Sequence, residues 1–379
     1  MRAQLFALMG AVSACGRFGF DAQSGAPGDT PLPDTSDPAA TAADFVAALT
    51  CETDLSIATV PTIDELQWLD LGGRQIVFAV HHVDSTHHEV HAHVLGVNAG
   101  QIVKVADVTS YAATDLKALG PARTSTGVLL LVYASASGTV HALGLDAAFG
   151  AATDMTIVGF DEAFVPYAKS TAAQMIVGLT TNGIVAYTVA DNGATTSSAL
   201  VVDTIADSPY HTSIAAYGAD FIVGWTTSAN TCKFVRLTAA GTITAGPLVI
   251  AGPGGCDYAS AVAIGQTIVL GFVDPTGPAY SAVTDGLLAT ATGAQPLGAV
   301  GSDIQDLVDA GDHAIAAVRE NLGDSRIVSI ATTGAVTPLG ADFGLTADSS
   351  DHQTASVVAG ALLHARSEGG MLHVRKLCR

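Results

Sequence analysis

A short apolar run rich in Val, Ile and Leu returns seven times along this chain at a nearly constant interval. The fifth residue of the run falls at Val80, Tyr133, Leu179, Trp225, Phe272, Val318 and Ala365. The successive intervals are 53, 46, 46, 47, 46 and 47 residues. Self-similarity at a fixed period is typical of repeat architectures, in which each unit packs against its neighbours. The fold must therefore accommodate seven similar units in series.

Each unit contains further β-rich runs around this anchor. In the fourth unit, Ser213–Gly218 precedes the anchor, Lys233–Leu237 follows a polar turn, and Pro247–Ile250 comes last. Short β-branched runs between Gly and Thr turns favour strands over the helices of a solenoid with the same period. Four strands at a period near 46 are typical of a propeller blade. We therefore predict an all-β, seven-bladed β-propeller with four-stranded antiparallel blades of about 46 residues.

The last repeat is one strand short. After Met371–Leu377 the sequence given ends at Arg379, which leaves no residues for the outer strand of the seventh blade. The segment Leu55–Val60, just before the first repeat, has the length and pattern of a strand. We therefore predict that this N-terminal strand pairs with the last blade and closes the ring, which also removes a free strand edge.

The N-terminal region has the features of an export signal. Arg2 precedes an apolar run from Leu5 to Val12, and the tetrad Val12-Ser13-Ala14-Cys15 follows. The tetrad resembles the lipobox of bacterial lipoproteins, and the resemblance covers only the first fifteen residues. It implies a signal peptide over residues 1–14 and a lipid attached to Cys15. The alternative is an ordinary secreted protein in which Cys15 is removed or left as an odd thiol.

The segment after this signal predicts a tether. Residues 15–43 contain four prolines among small and polar residues, with too few large apolar side chains to offset the entropy of ordering. We expect this segment to be disordered and the propeller to occupy residues 44–379. Gly16 after the cysteine resembles the pattern of lipoproteins exported to the outer membrane. The sequence therefore predicts a cell-envelope lipoprotein of the outer membrane, facing the periplasm or the cell surface.

Four further cysteines predict two disulfides in an oxidising compartment: Cys51, Cys232, Cys256 and Cys378. Three pairings are open. Ring closure would bring Cys51 beside Cys378, and the other two flank the last two strands of the fourth blade. We therefore favour Cys51 with Cys378 and Cys232 with Cys256. The alternative is four buried thiols.

Charge and missing motifs restrict the function. The formal net charge of −20, with 35 acidic and 15 basic residues, argues against nucleic acid and against direct binding to anionic membranes. The sequence has no G-x-S-x-G elbow and no G-K-[ST] phosphate loop. We expect a monomeric binding or scaffolding propeller without catalysis, held at the membrane through its lipid alone, with a protein or glycan of the envelope as partner. The alternative is an envelope hydrolase or lyase that uses carboxylates and histidines as acid and base.

The connections between successive blades predict where a ligand would bind. In propellers these loops gather around one mouth of the central channel. Convergent polar groups at a concave mouth are a ligand-site hypothesis, although solvated turn residues are the alternative. Here the connections carry Asp115, Tyr167, Tyr210, His211, Asp257, Tyr258, Asp303, Gln305, Asp351 and His352.

Half of the twelve histidines fall in the middle hairpin of the first blade, at positions 81, 82, 87, 88, 91 and 93. Alternate residues of a strand share a face, so a two-stranded ribbon can bring imidazoles within reach of one ion. The sequence therefore predicts a Zn, Cu or Ni site formed by His81, His87, His91 and His93. An exposed His-rich hairpin without a metal is the alternative, and no other cofactor is predicted.

Overall fold

The computed structural model describes residues 41–50, 54–58, 62–125, 127–134, 137–158, 160, 167–181, 183–204, 210–320, 325–339, 352–368 and 370–377. These residues form seven antiparallel sheets of four strands each. Neighbouring sheets contact one another in sequence, and the last sheet contacts the first. The prediction of a seven-bladed β-propeller is confirmed.

The described chain begins with helix α1 (Ala42–Ala47) and strand β1 (Asp54–Ala58), and the blades follow in order. Blade 1 contains β2 (Ile63–Asp70), β3 (Gln75–Asp84), β4 (His87–Asn98) and β5 (Gln101–Ala113). Blade 2 contains β6 (Leu116–Arg123), β7 (Val128–Ala134), β8 (Thr139–Leu145) and β9 (Ala151–Val158). Blade 3 contains β10 (Tyr167–Lys169), β11 (Gln174–Thr180), β12 (Gly183–Val189) and β13 (Leu200–Thr204). Blade 4 contains β14 (Tyr210–Tyr217), β15 (Asp220–Thr226), β16 (Cys232–Leu237) and β17 (Ile243–Ile250).

The remaining blades follow the same plan. Blade 5 contains β18 (Asp257–Ile264), β19 (Thr267–Val273), β20 (Ala279–Asp285) and β21 (Gln295–Pro296). Blade 6 contains β22 (Asp303–Asp309), β23 (His313–Arg319), β24 (Ser325–Ala331) and β25 (Val336–Pro338). Blade 7 contains β26 (Gln353–Val358), β27 (Ala361–Glu368), β28 (Met371–Leu377) and, on its outer edge, β1.

The first strand of each blade lies on the inside of the ring, since residues of β2, β6, β10, β22 and β26 line one central cavity. Antiparallel alternation then fixes two ends of the molecule. At the mouth end lie the starts of the inner strands and the turns between second and third strands. At the base end lie the turns between first and second strands and between third and fourth strands.

The ring closes as the sequence predicted. Strand β1 pairs with β28 in an antiparallel register that runs from Asp54 opposite Arg375 to Ala58 opposite Met371. Ile57 on this strand is buried in a cluster that joins blade 7 to blade 1. The N-terminal strand therefore contributes both backbone hydrogen bonds and apolar packing to the closure.

Apolar packing lies between the blades. The described core divides into seven clusters, each made by two neighbouring blades. The cluster between blades 1 and 2, for example, packs Phe78 and Val80 against Leu130 and Val132, all fully buried. This pattern explains the repeat, because every anchor run must present apolar side chains to both of its neighbours.

Helix α1 lies at the base end and straddles the predicted boundary at residue 44. Thr41 and Asp44 form a capping box, which satisfies backbone donors of the first turn. The Lys376 ammonium of β28 donates to the carbonyl oxygens of Val46 and Leu49 at 2.9 and 3.0 Å. Among the described residues, no helix has the length and hydropathy needed to cross a membrane.

One predicted disulfide is present. Cys232 and Cys256 are bonded, with Cα atoms 5.5 Å apart. Cys15, Cys51 and Cys378 lie outside the described residues, as does most of the predicted tether.

Candidate functional site

Near the mouth end, five inner strands each contain a β-bulge, in which the pairing with the next strand skips one residue. A bulge leaves one residue outside the ladder and redirects its side chain. His211 and Tyr258 also have φ values of 48° and 51°, a region that non-glycine residues rarely adopt. Such strain often accompanies functional sites. The bypassed residues are Asp64, Lys117, His211, Tyr258 and Gln305.

The bulged residues of blades 4 and 5 meet. The rings of His211 and Tyr258 have centroids 4.0 Å apart and planes inclined by 34°. His211 Nε2 lies 3.7 Å from Asp257 Oδ1, which is too long for a hydrogen bond. Burial lowers the pKa of His211 to about 4, so its imidazole is neutral at pH 7. Burial also raises the pKa of Asp257.

Blade 6 continues this group with a buried carboxyl. Gln305 Nε2 donates to Asp303 Oδ2 at 2.7 Å, and Arg319 Nη2 lies 3.5 Å from the same oxygen. Burial raises the pKa of Asp303 to about 6, with Arg319 opposing the shift and Asp257 adding to it. Within the described part of the chain, Asp303 Oδ1 and Gln305 Oε1 have no hydrogen-bond partner. We call this set the mouth arc: His211, Asp257, Tyr258, Asp303, Gln305 and Arg319.

Other predicted ligand residues make contacts of their own. Tyr167 pairs with Ile176 inside its strand, is 2% exposed, and donates its hydroxyl to the Gln174 side chain. The backbone N–H of His352 donates to Ser367 Oγ at 3.0 Å, and this histidine is buried. Tyr210 lies in the ladder of β14 opposite Thr226. Asp115 lies beside the His-rich hairpin, and Asp351 falls outside the described residues.

The central channel below the mouth is narrow. A cavity of about 70 Å³ lies among the inner strands. Ligand pockets for small molecules usually measure about 300–1,000 Å³, so this space suits a few water molecules instead. Asp70, Arg123 and Lys169 contribute charged groups to its lining. Contact with a larger partner therefore falls to the mouth rather than to the channel.

One face of the His-rich hairpin turns toward blade 7, because Val77 and Ala79 on that face pack in the cluster between blades 7 and 1. Here His81 Nε2 and His93 Nε2 lie 3.2 Å apart, and both side chains are buried. Burial lowers the pKa of His81 to about 3. One imidazole of this pair therefore donates a hydrogen bond to the other.

Carboxylates occupy the more exposed part of the same face. His91 contacts Asp107 Oδ1 through Nδ1 and Glu89 Oε2 through Nε2, both at 2.8 Å. His87 Nε2 lies 3.0 Å from the other Glu89 oxygen. The hydrogen bond to Asp107 raises the pKa of His91, and the bonds from His91 and His93 hold the pKa of Asp107 below its usual range. The predicted ligands His81, His87, His91 and His93 thus mostly contact carboxylates rather than converging on one point.

The opposite face of the hairpin gathers a different group. Among the described residues, Asp64, His82 and His88 are the set whose ligand atoms all lie within 4.8 Å of one another. His82 Nδ1 and His88 Nε2 are 3.3 and 3.4 Å from Asp64 Oδ2. Sequence reasoning missed Asp64, although it lies 16 residues before its anchor, as Lys117 does in the next repeat.

The disulfide lies next to the mouth arc. Cys256 directly precedes Asp257, and the bond ties this connection to the start of β16. The Gly254 N–H donates to Asp274 Oδ2 and the Cys256 N–H donates to the Asn230 carbonyl, both at 2.6 Å. A glycine-rich loop that has no intrinsic stiffness is thereby held in place beside the arc.

Comparisons with known proteins identify the fold and nothing narrower. No protein-family model matches the chain, and neither does any curated protein. A protein from Lactobacillus plantarum aligns with a TM-score of 0.53 at 14% identity, over 76% of this chain and 86% of its own. BP39L lectin from Burkholderia pseudomallei aligns with a TM-score of 0.55 at 14% identity, over 81% of this chain and 96% of its own.

Proposed function

We propose that this protein is a lipid-anchored propeller of the cell envelope that binds a protein or glycan at the mouth arc, without catalysis. The observation that carries this proposal is the convergence of six polar or aromatic side chains from three consecutive blades. Stacked rings at His211 and Tyr258 offer apolar faces, and Asp257 offers hydrogen-bond acceptors beside them. Such a mixture of faces and fixed polar groups suits recognition of sugars and of protein side chains.

Binding explains the geometry better than acid–base catalysis does. A general acid must reach its substrate, but the Asp303 side chain is only 9% exposed. Its Oδ2 is already engaged by Gln305 and lies near Arg319. His211 Nε2 and Asp257 Oδ1 are 3.7 Å apart, so this pair does not form the hydrogen bond with which a carboxylate orients a histidine base. The raised pKa of Asp303 is the feature that favours the hydrolase or lyase alternative.

The position of the proposed lipid anchor supports a mouth arc that faces away from the membrane. The chain joins the propeller through helix α1 at the base end, opposite the mouth arc. A lipid on Cys15, followed by a tether, would therefore attach on the far side from the arc. This arrangement leaves the mouth open to an envelope partner. One structural neighbour is named a lectin, and this likeness of architecture alone supports keeping a glycan among the proposed partners.

Affinity capture from native envelopes tests the binding proposal. Full-length protein should enrich a defined protein or glycan, identified by mass spectrometry, and His211→Ala together with Tyr258→Ala should abolish the enrichment. His313→Ala is the matched control, because His313 pairs with Asp312 at the base end. Equal capture by all three proteins would contradict the proposal. Cleavage of the captured partner by the wild type, lost in Asp303→Asn, would support the enzyme alternative.

The proposed lipid attachment at Cys15 has its own test. Replacing Cys15 with Ser should abolish labelling by a radioactive fatty acid and release the protein into the soluble fraction. A wild-type protein that carries no label, or a variant that stays in the membrane, would contradict lipidation.

A further inference from the structure

We propose that Asp64, His82 and His88 bind one divalent transition-metal ion of the Zn²⁺ class at the mouth end of blade 1. This site differs from the histidines that the sequence alone suggested and does not depend on the mouth arc. It rests on three ligand atoms from three strands: Asp64 Oδ2 from the bulge of β2, and imidazole nitrogens of His82 on β3 and His88 on β4.

The spacing of these atoms fits a shared ion. Two ligands on a tetrahedral ion with bonds of about 2.0–2.1 Å lie about 3.3–3.4 Å apart. The separations from Asp64 Oδ2 are 3.3 Å to His82 Nδ1 and 3.4 Å to His88 Nε2. Hydrogen bonds between imidazolium and carboxylate are normally shorter, at about 2.7–2.9 Å. The two separations from Asp64 are therefore wider than such hydrogen bonds and match a coordination shell, and all three ligand atoms lie within 4.8 Å of one another.

The backbone sets this spacing. His82 and His88 face one another across the β3–β4 ladder, with ring centroids 4.6 Å apart. The bulge at Asp64 lies where the pairing of β2 with β3 shifts between Ile63 and Glu65. A cross-strand pair and a bulge are both rigid features of the sheet, so little ordering is needed when an ion arrives.

The donor set selects the class of metal. Two imidazoles and one carboxylate suit Zn²⁺, Cu²⁺ or Ni²⁺, whereas Ca²⁺ and Mg²⁺ prefer oxygen ligands. The side chains of His82 and Asp64 are 40% and 35% exposed, which gives an ion access from solvent. Three protein ligands leave one position of a tetrahedral ion for water or for a ligand atom.

Binding must change one hydrogen bond. The backbone N–H of Asp115 donates to His88 Nδ1 at 3.2 Å, so the neutral imidazole carries its proton on Nε2. When a metal ion takes Nε2, the single ring proton of the neutral imidazole shifts from Nε2 to Nδ1, and Nδ1 can no longer accept from Asp115. The Asp115 amide, which lies in the connection from blade 1 to blade 2, is therefore a reporter of metal binding in blade 1.

The second group of histidines is the competing site. His81 and His93 lie 3.2 Å apart, but His91 is engaged on both nitrogens by Asp107 and Glu89. Recruiting His91 to an ion would require breaking at least one of these short contacts. In the Asp64 group, the ligand atoms of Asp64, His82 and His88 already lie within 4.8 Å of one another.

Zinc titration of tag-free, full-length protein against a chromogenic chelator tests the site. The wild type should bind one equivalent, and His82→Ala and Asp64→Asn should each weaken binding at least tenfold. His87→Ala removes a neighbouring histidine of equal 40% exposure and should stay within twofold of the wild type. Circular dichroism of each variant establishes that the fold is retained.

Selective ¹⁵N-aspartate labelling supplies the local readout. The Asp115 amide resonance should shift and saturate at one equivalent of zinc in the wild type and in His87→Ala, but not in His82→Ala. Three results would overturn the proposal: no stoichiometric binding, binding unchanged in His82→Ala and Asp64→Asn, or binding lost in His91→Ala with His82→Ala unaffected. The last result would move the metal to the competing site.

Discussion

The mouth arc and the His-rich hairpin both place carboxylates near histidines, and they treat the charge in opposite ways. In the arc, burial raises the pKa of Asp303 to about 6. In the hairpin, hydrogen bonds from His91 and His93 hold the pKa of Asp107 below its usual range. The arc is assembled from three blades, whereas these hairpin residues come from one sheet. The buried carboxyl, Asp303, therefore belongs to the surface that needs several blades to be assembled, and the hydrogen-bonded carboxylate, Asp107, belongs to a single blade.

The largest expected effect concerns the closure of that ring. The described register ends with Asp54 opposite Arg375, three residues from each of Cys51 and Cys378. We predict a disulfide between them. Losing it through Cys51→Ser should lower the free energy of unfolding by as much as about 5–6 kcal/mol, because the loop exceeds three hundred residues. Urea unfolding measures this loss.

Ring closure also separates the two regions. Since the hairpin belongs to blade 1 and packs toward blade 7, where the ring closes, hydrogen exchange in the Cys51→Ser variant should increase more in the hairpin than at the arc of blades 4 to 6. Non-reducing peptide mapping supplies the direct control. A Cys51 peptide joined to Cys232 or Cys256, or free in oxidised protein, would show that the ring is not closed in this way.

The second disulfide should act on the arc alone. Removing it by Cys232→Ser with Cys256→Ser should cost about 3–4 kcal/mol of unfolding free energy, since it closes a sequence separation of 24 residues. It should also loosen Asp257 and Tyr258, which follow Cys256 directly. Partner binding at the mouth should weaken, while zinc affinity at the hairpin stays unchanged. A loss of zinc affinity that accompanies the loss of partner binding would mean that the two regions are not independent.

The buried carboxyl of the arc predicts a specific pH dependence. Because its folded pKa lies above the unfolded value, the stability contributed by Asp303 is present below about pH 4 and lost as pH rises through about 6. The stability of Asp303→Asn relative to the wild type should therefore increase by about 3 kcal/mol between pH 4 and pH 7, from about two pKa units at 1.36 kcal/mol each. A flat difference for Asp303→Asn over this pH range would contradict the burial argument.

Asp107 beside the hairpin should give a pH dependence of stability of the opposite sign to that of Asp303, and a smaller one. The folded pKa of Asp107 is lowered, so its contribution is present above its unfolded pKa and lost as pH falls. Since the carboxylate is partly exposed, Asp107→Asn should cost about 1 kcal/mol or less at pH 7, and less in high salt. It should also lower the pKa of His91, which an NMR titration of the imidazole can follow. An unchanged His91 pKa would mean that this contact does not set it.

The fold was accessible from the sequence because repetition reports packing directly. Seven anchors at an even period could be satisfied by seven blades, and the missing outer strand pointed to β1. The pair Cys232 and Cys256 followed from the position of each cysteine beside a strand. Helix α1 was missed, since six residues with one buried aromatic, Phe45, give too short a periodic signal.

The site was less accessible because side-chain direction depends on details that composition does not show. His211, Tyr258 and Gln305 converge through bulges, and no residue type signals a bulge reliably. Arg319 was missed because it ends a strand that looked purely structural. Tyr167 was expected to face a ligand at the mouth, but its side chain at the start of β10 is buried and donates its hydroxyl to Gln174, a detail that the pattern of strands does not show.

Protection from hydrogen exchange tests most directly whether the mouth arc is the surface that binds the partner. Full-length protein should be measured with and without the partner recovered from the envelope. With the partner bound, we expect slower exchange in peptides spanning 210–212, 257–260 and 303–306. Exchange in the hairpin turn at 84–87 and in the base-end turn at 310–313 should be unchanged. Protection at the base end or in the hairpin, with the three arc segments unaffected, would contradict it.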